Sequence, residues 1–282
     1  MLRKGLTLAA LGFAFLAGPA LADTTSLPVR DIHWAFQNPV FGKFDQAQLQ
    51  RGYKVYREVC SACHSMNLLY FRTLGEKGGP FYDPKYPNPI DNPYVKSLAK
   101  DLQVSDIDSD TGDPIKRPGT AADKFPAPFP NEVAAAASNG GKAPPDLSVM
   151  AKAREGGPAY IYSILTGFRD PPPGLTPMPG KYYNPYFPGD VTSNWTGAAD
   201  KVPPGGFIGM PPPLAPNKVT FDDGTPSTVD NEARDVAAFL AWAAEPKQEN
   251  RKTFGFGAMI YLLIFTGLLY ASYRRIWRNV SH

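Results

Sequence analysis

The stretch "REVCSACHSM", residues 57–66, decides how this chain is read. It holds both cysteines, Cys60 and Cys63, and one of the three histidines, His64, in a chain of 282 residues. One reading is a local disulfide or two unremarkable thiols. A thioredoxin-like redox pair is a second, because C-x-x-C also serves that chemistry. The third is C-x-x-C-H, the attachment motif of a c-type haem. Each thiol then adds across one haem vinyl group, and the histidine reaches the iron from the proximal side. That chemistry demands a helical turn from Cys60 to His64, so that three side chains face one porphyrin. The adjoining histidine favours the haem reading. Structural zinc is disfavoured, since two cysteines and one nearby histidine leave a fourth ligand missing.

The chain ends agree with export. "MLRKGLTLAALGFAFLAGPALA" has a charged start at Arg3 and Lys4, an apolar run, and small residues at Ala20-Leu21-Ala22. It reads as a cleaved secretory signal peptide over residues 1–22, too short for a stable span. Haem is attached to C-x-x-C-H after export in bacteria, so leader and motif support each other. At the other end, "TFGFGAMIYLLIFTGLLYASY", residues 253–273, has no charged residue. At about 1.5 Å per residue it spans roughly 30 Å, the thickness of a bilayer core. We expect a transmembrane anchor over 251–274 and a short cytoplasmic tail over 275–282. Tyr270, Tyr273 and Trp277 suit the interface, and Arg274, Arg275 and Arg278 suit the cytoplasmic side.

Residues 23–250 remain for one periplasmic domain. The 31 prolines and 26 glycines exceed ordinary usage, and imply a few helices joined by long, stiff loops around a bulky prosthetic group. Asp45 is expected to cap a helix running to about Val59, with Gln48 completing a capping box and Leu49, Tyr53 and Tyr56 on one face. Asn131 starts a short alanine-rich helix that ends before Gly140-Gly141. Pro158 opens another, with Tyr160, Ile161, Ile164, Leu165 and Phe168 as its apolar stripe. A last helix runs from about Asp230 to Glu245, with Val236, Phe239, Leu240 and Ala243 inward and Pro246 as its stop. Lys247–Asn250 then link it to the anchor. No strand series and no repeat is evident. The expected class is mainly α, a cytochrome c-like single-haem domain plus one C-terminal transmembrane helix.

His64 leaves the other face of the iron to be filled. Met1 and Met259 lie in the leader and the anchor, and Met66 is too near His64 to cross the haem plane. Met150 has the spacing of a core residue. Met178 in "GLTPMPGKYY" and Met210 in "GGFIGMPPPL" both sit in stiff loops, as a weak thioether–iron bond requires, and Met210 is the first choice of the two. His33 reads as packed or surface, and His282 lies at the cytoplasmic end.

Longer matches add a family. "VCSACHSM" (59–66), "PPDLS" (144–148), "GGPAYIYSILTGF" (156–168), "YYNPYFPG" (182–189), "IGMPPPL" (208–214), "DDGTP" (222–226) and "DVAAFLAWAAEP" (235–246), with the anchor, resemble cytochrome c1, the haem subunit of the cytochrome bc1 complex, in its α-proteobacterial form. The resemblance implies one covalent haem c on Cys60 and Cys63, with His64 and Met210 as axial ligands. It implies a propionate contact for Arg154, and places Pro144, Pro145 and Tyr160 along the haem. It also implies partners: cytochrome b, a Rieske iron–sulfur protein and a soluble basic cytochrome c. The quinol chemistry would belong to neighbouring subunits. The setting would be a bacterial inner or intracytoplasmic membrane, in respiratory or photosynthetic electron transport.

Two departures stand out. An extra loop, roughly Asp190–Gly206, is absent from mitochondrial relatives and is expected to clamp the methionine loop. Some family members staple that side with a disulfide, whereas here no third cysteine exists.

The net charge of +3 misleads. Two basic residues lie in the leader and five beyond residue 250, with no acidic residue in either, so the segment between is net negative by four. Asp101, Asp106, Asp108, Asp110 and Asp113 cluster there and are expected to steer a basic cytochrome c. A membrane-anchored peroxidase or reductase is the alternative from another class. It would need an open axial site and usually a second C-x-x-C-H. A thiol oxidoreductase would need no methionine loop.

Overall fold

The computed structural model describes residues 26–279, so the expected leader and His282 lie outside the described residues. Asp45 starts helix α1 (Gln46–Val55) by accepting a hydrogen bond from the Gln48 backbone at 3.0 Å. The expected capping box is not closed. The Gln48 side-chain amide donates to Asp235 instead, at 2.9 Å. Beyond Val55 the chain makes a wider π-type turn, Tyr56–Cys60, rather than continuing as α-helix to Val59. Such turns rotate the side chains that follow and recur at functional sites. Leu49, Tyr53 and Tyr56 are buried, as their spacing predicts.

Helix α2 (Pro93–Lys100) goes beyond the sequence reading. Asn92 accepts from the Tyr94 amide at 3.0 Å, and Pro93 fills the first helical position, where a missing N–H costs nothing. Strands also exist where none was expected. β1 (Gln103–Ile107) pairs antiparallel with β2 (Pro114–Pro118), with Gln103 opposite Pro118 and Ile107 opposite Pro114. Both are mostly exposed, so no buried face gave them a legible alternation.

Helix α3 (Glu132–Ser138) is capped by Asn131. Helix α4 (Met150–Ala153) is short, and α5 (Pro158–Gly167) carries Ile161 and Ile164 into the core. β3 (Tyr182–Asn184) pairs with β4 (Gly206–Ile208), Tyr182 opposite Ile208. Between them the Asp190–Gly206 loop helps to build a small second core. Val191 packs there with Leu175 and Tyr183, covered by Trp195, Val202 and Phe207.

The main core forms around α6 (Val229–Ala244), whose Val236, Phe239, Leu240 and Ala243 are all buried. Helix α1 crosses it at Gly52. A Cβ there would stand 2.1 Å from the Asp235 carbonyl oxygen and 2.7 Å from the Phe239 Cβ. The two backbones meet because position 52 has no side chain. Phe239 then touches Tyr53 and Tyr56 (ring centroids 5.7 and 5.8 Å apart), and Phe125 stacks on Phe71 at 4.6 Å. This aromatic wall backs the turn that carries Cys60.

Pro246 ends α6 as expected, but the linker to the anchor is shorter than read. Helix α7 (Gln248–Ile276) already begins at Gln248, so residues 248–250 belong to it. Its first turn is tied to the domain. The Phe44 amide donates to Glu249 at 2.9 Å, Lys247 pairs with Glu76, and Arg251 pairs with Glu245. Among the described residues α7 is the one helix long and apolar enough to cross a membrane, and none of its apolar stretch is buried.

Filling the crossing tests this packing. Gly52→Val should lower stability by about 1–3 kcal/mol or more, read as a fall in the thermal midpoint of the detergent-solubilised chain. An unchanged midpoint would contradict a backbone-to-backbone contact there.

Candidate haem site

The π-type turn delivers Cys60, and the chain keeps turning. The Cys63 and His64 amides both donate to the Cys60 carbonyl, at 3.1 and 2.9 Å. The five residues thus form the compact helical turn that the motif requires. No disulfide joins the two cysteines; Cys63 is exposed and Cys60 partly so. Burial pushes the Cys60 thiol up to about 12, with Cys63 adding to the rise.

His64 is the best-defined group. Its Nδ1 lies 2.8 Å from the Pro145 carbonyl oxygen. A carbonyl only accepts, so Nδ1 carries the proton and Nε2 keeps its lone pair. Burial pushes this imidazole below its ordinary value, against the opposing pull of the Pro145 carbonyl and Asp146, and so keeps it neutral at pH 7. Metal-binding histidines are held in this way, with the second ring nitrogen fixed by a carbonyl or carboxylate.

The family resemblance puts Pro144 and Pro145 along the haem and gives no role to the residue beside them. Asp146 fastens the "PPDLS" stretch to the haem motif. One carboxylate oxygen accepts from the Ser65 hydroxyl and the Asn67 amide, both at 2.8 Å, and the other accepts from the Ser148 amide at 2.8 Å. Leu147 N donates to Ser65 O at 2.9 Å, and Leu68 N donates to Ser148 Oγ at 3.0 Å. Burial raises the Asp146 carboxyl, but these hydrogen bonds outweigh it and hold the group below its ordinary value. The signal was an aspartate after two prolines, a common turn former; its partners are some 80 residues away and leave no local pattern.

The clasp leads straight into α4 and then to Arg154. The Arg154 guanidinium is exposed and lies against the Tyr160 hydroxyl, so these two sequence-predicted residues do come together. Burial pushes the Tyr160 phenol up, and the adjacent guanidinium restrains the rise. Met210 is partly buried and follows β4 by two residues. Met178 sits in a turn closed by the Lys181 amide at 3.1 Å. Met150 packs on the main core, as its spacing predicts, and His33 is a surface residue paired with Asp31 at 3.0 Å.

The five aspartates fare unevenly. Arg57 takes Asp101 at 3.0 Å, and Arg117 takes Asp106 at 2.6 Å. Asp108 caps the hairpin turn through the Asp110 and Thr111 amides. Asp110 and Asp113 remain exposed at the tip. The stretch looked free of cations because its partners come from α1's continuation and from β2.

The donor set fits a haem: two thiols and a neutral imidazole on one turn, with Nε2 available. A helical domain carrying that turn, with one helix among the described residues long and apolar enough to cross a membrane, defines a membrane-anchored c-type cytochrome. A profile of the Cytochrome C1 family matches residues 34–280. Cytochrome c1 of Rhodospirillum rubrum is 38% identical over 298 aligned positions, covering all of this chain and 99% of that protein. The mitochondrial cytochrome c1 1 heme protein of Arabidopsis thaliana is 40% identical over 84% of this chain and 68% of its own length. A Bradyrhizobium diazoefficiens protein named cytochrome b/c1 is 43% identical over 88% of this chain, which spans only 35% of that longer relative. The chain belongs to the cytochrome c1 family. It is thus a haem c-containing electron-transfer subunit of the bc1 complex, anchored in the membrane.

Asp146 gives a sharp test. Its depressed value means its contribution is complete above the ordinary carboxylate range near pH 4, and fades as pH falls through the lower folded value. Asp146→Ala should cost roughly 1–3 kcal/mol at pH 7 and remove that acid-dependent part. A denaturation midpoint equal to wild type at pH 7 would contradict the clasp.

Proposed function

We propose that this chain relays single electrons from a Rieske iron–sulfur protein to a soluble cytochrome c on the periplasmic side of a bacterial inner membrane. What supports this most is the His64 geometry, with Nδ1 committed to Pro145 and Nε2 left for iron. Cys60 and Cys63 would hold the haem through thioethers, and His64 and Met210 would be the residues that ligate its iron. One-electron cycling between ferrous and ferric iron is the chemistry the bound haem supplies. With His64 and Met210 both committed to it, the iron would offer no site to peroxide or another small ligand, as electron transfer favours.

The chain's own part is to hold that ligand set still. Asp146 keeps the His64 side in register. On the other side β4, pinned to β3, runs into Gly209 and Met210. The second core stiffens that hairpin: Trp195 Nε1 donates to Ala198 O at 2.9 Å, and the Tyr183 and Phe207 rings lie 6.0 Å apart. This packing would hold the hairpin without a disulfide. Arg154 offers a cation to a haem propionate, with Tyr160 beside it. Cytochrome b is the neighbour in the membrane; the relative whose name joins b and c1 supports that association. The acidic hairpin tip, Asp108, Asp110 and Asp113, steers the basic carrier, while Asp101 and Asp106 are spent on internal pairs.

Two measurements examine this reading. Met210→Leu should lower the haem reduction potential and open the iron to added ligands. A potential that stayed high, with no new ligand reactivity, would remove Met210 from the iron. Electron transfer to a basic soluble cytochrome c should slow as salt rises, and Asp110→Asn with Asp113→Asn should flatten that dependence. A rate independent of salt would exclude electrostatic steering.

A further inference from the structure

One apolar turn has no part in the haem site. In "NPVFG", residues 38–42, Val40 and Phe41 face outward, and Phe41 is 77% exposed. The turn is firmly built. Asn38 Oδ1 accepts from the Val40 and Phe41 amides at 3.1 and 2.9 Å, and the Gly42 amide donates to Asn38 O at 3.2 Å. A Cβ at Gly42 would meet the carbonyl oxygens of Asn38, Phe36 and Ala35 at 2.4, 2.6 and 2.8 Å, so the turn closes only around glycine. At its base Phe36 stacks on Phe44 with centroids 4.5 Å apart.

This turn is locked to the membrane helix. Lys252 of α7 donates to Phe36 O at 2.6 Å and to Asn38 O at 2.7 Å. The Phe41 ring lies 6.3 Å from that of Phe256, near the start of the apolar run. Single exposed apolar residues are ordinary. This one is continuous with the exposed apolar surface of the span, because Phe254 and Phe256 beside it are exposed too. Lys43, the next cation along the chain, is also exposed. An apolar tip flanked by a cation at the end of a span is the pattern of an interfacial contact.

We propose that the 38–42 turn is a second membrane contact, with Val40 and Phe41 inserted among lipids of the leaflet that α7 enters and Lys43 at the phosphates. A lone helix lets its domain swivel about the helix axis. A second contact, fixed to α7 through Lys252, sets how the haem domain stands on the bilayer.

The test uses the full chain in its complex, reconstituted in phospholipid bilayers. A nitroxide is placed through Phe41→Cys, with Val133→Cys as the water reference and Leu262→Cys as the bilayer reference. Wild type labelled in parallel sets any background from Cys60 and Cys63. Phe41 is exposed, so the substitution leaves the fold intact. The label at 41 should favour collision with oxygen over a nickel chelate well above the level at 133 and below that at 262, for a depth of roughly 5–10 Å. A ratio equal to that at 133 would overturn the proposal. Shielding from both reagents would overturn it as well, because a neighbouring protein would then cover the turn.

Discussion

The hydrogen bond between His64 Nδ1 and the Pro145 carbonyl is the contact on which the site depends. It orients the imidazole and selects the tautomer with a free Nε2. It also joins parts of the chain separated by 81 residues. Everything that follows Pro145 takes its position from this junction: Asp146 and Ser148 close it, α4 leaves from it, and Arg154 and Tyr160 come next. The other side of the junction is equally constrained. The turn from Cys60 to His64 continues α1, and α1 can lie on α6 only because Gly52 presents no Cβ. A backbone contact in the core and a hydrogen bond at the surface therefore set the same imidazole.

The two long C-terminal helices show how environment, not helix strength, assigns roles. α6 is buried along its inner face against α1 and α5, and α7 is exposed along its apolar run. Only Glu245, Pro246 and Lys247 separate them. Polar groups fill that joint. Glu245 takes both Lys152 and Arg251, so α4 is tied to the base of the anchor by the same carboxylate. Exposed pairs of this kind add little stability singly. Gathered around one short link, they limit the angles that the domain can take relative to the membrane helix.

Much of this was legible because it was local. The motif at 60–64, the caps at Asp45 and Asn131, the stripe through Val236 and Phe239, and the uncharged run at 253–273 each carry their signal within a few residues. What escaped was set by distant partners. Asp146 matters through Ser65 and Asn67, and Gly52 through Asp235. Arg57 and Arg117 neutralise aspartates that looked alone. The exposed β1–β2 hairpin lacks a buried face, and its strands could not be told from loop. The Asp45–Gln48 spacing permits a capping box, but the deeper partner, Asp235, holds the Gln48 side chain instead. The Asp190–Gly206 loop contributes Val191 to a small core whose other members, Leu175 and Tyr183, lie outside it.

The central claim concerns what His64 and Met210 do together. Iron K-edge X-ray absorption on the oxidised, haem-loaded chain purified on its own reads that ligand shell directly. The account predicts five nitrogen scatterers and one sulfur at bonding distance. A shell of six nitrogens, or of five with no sulfur, would contradict it.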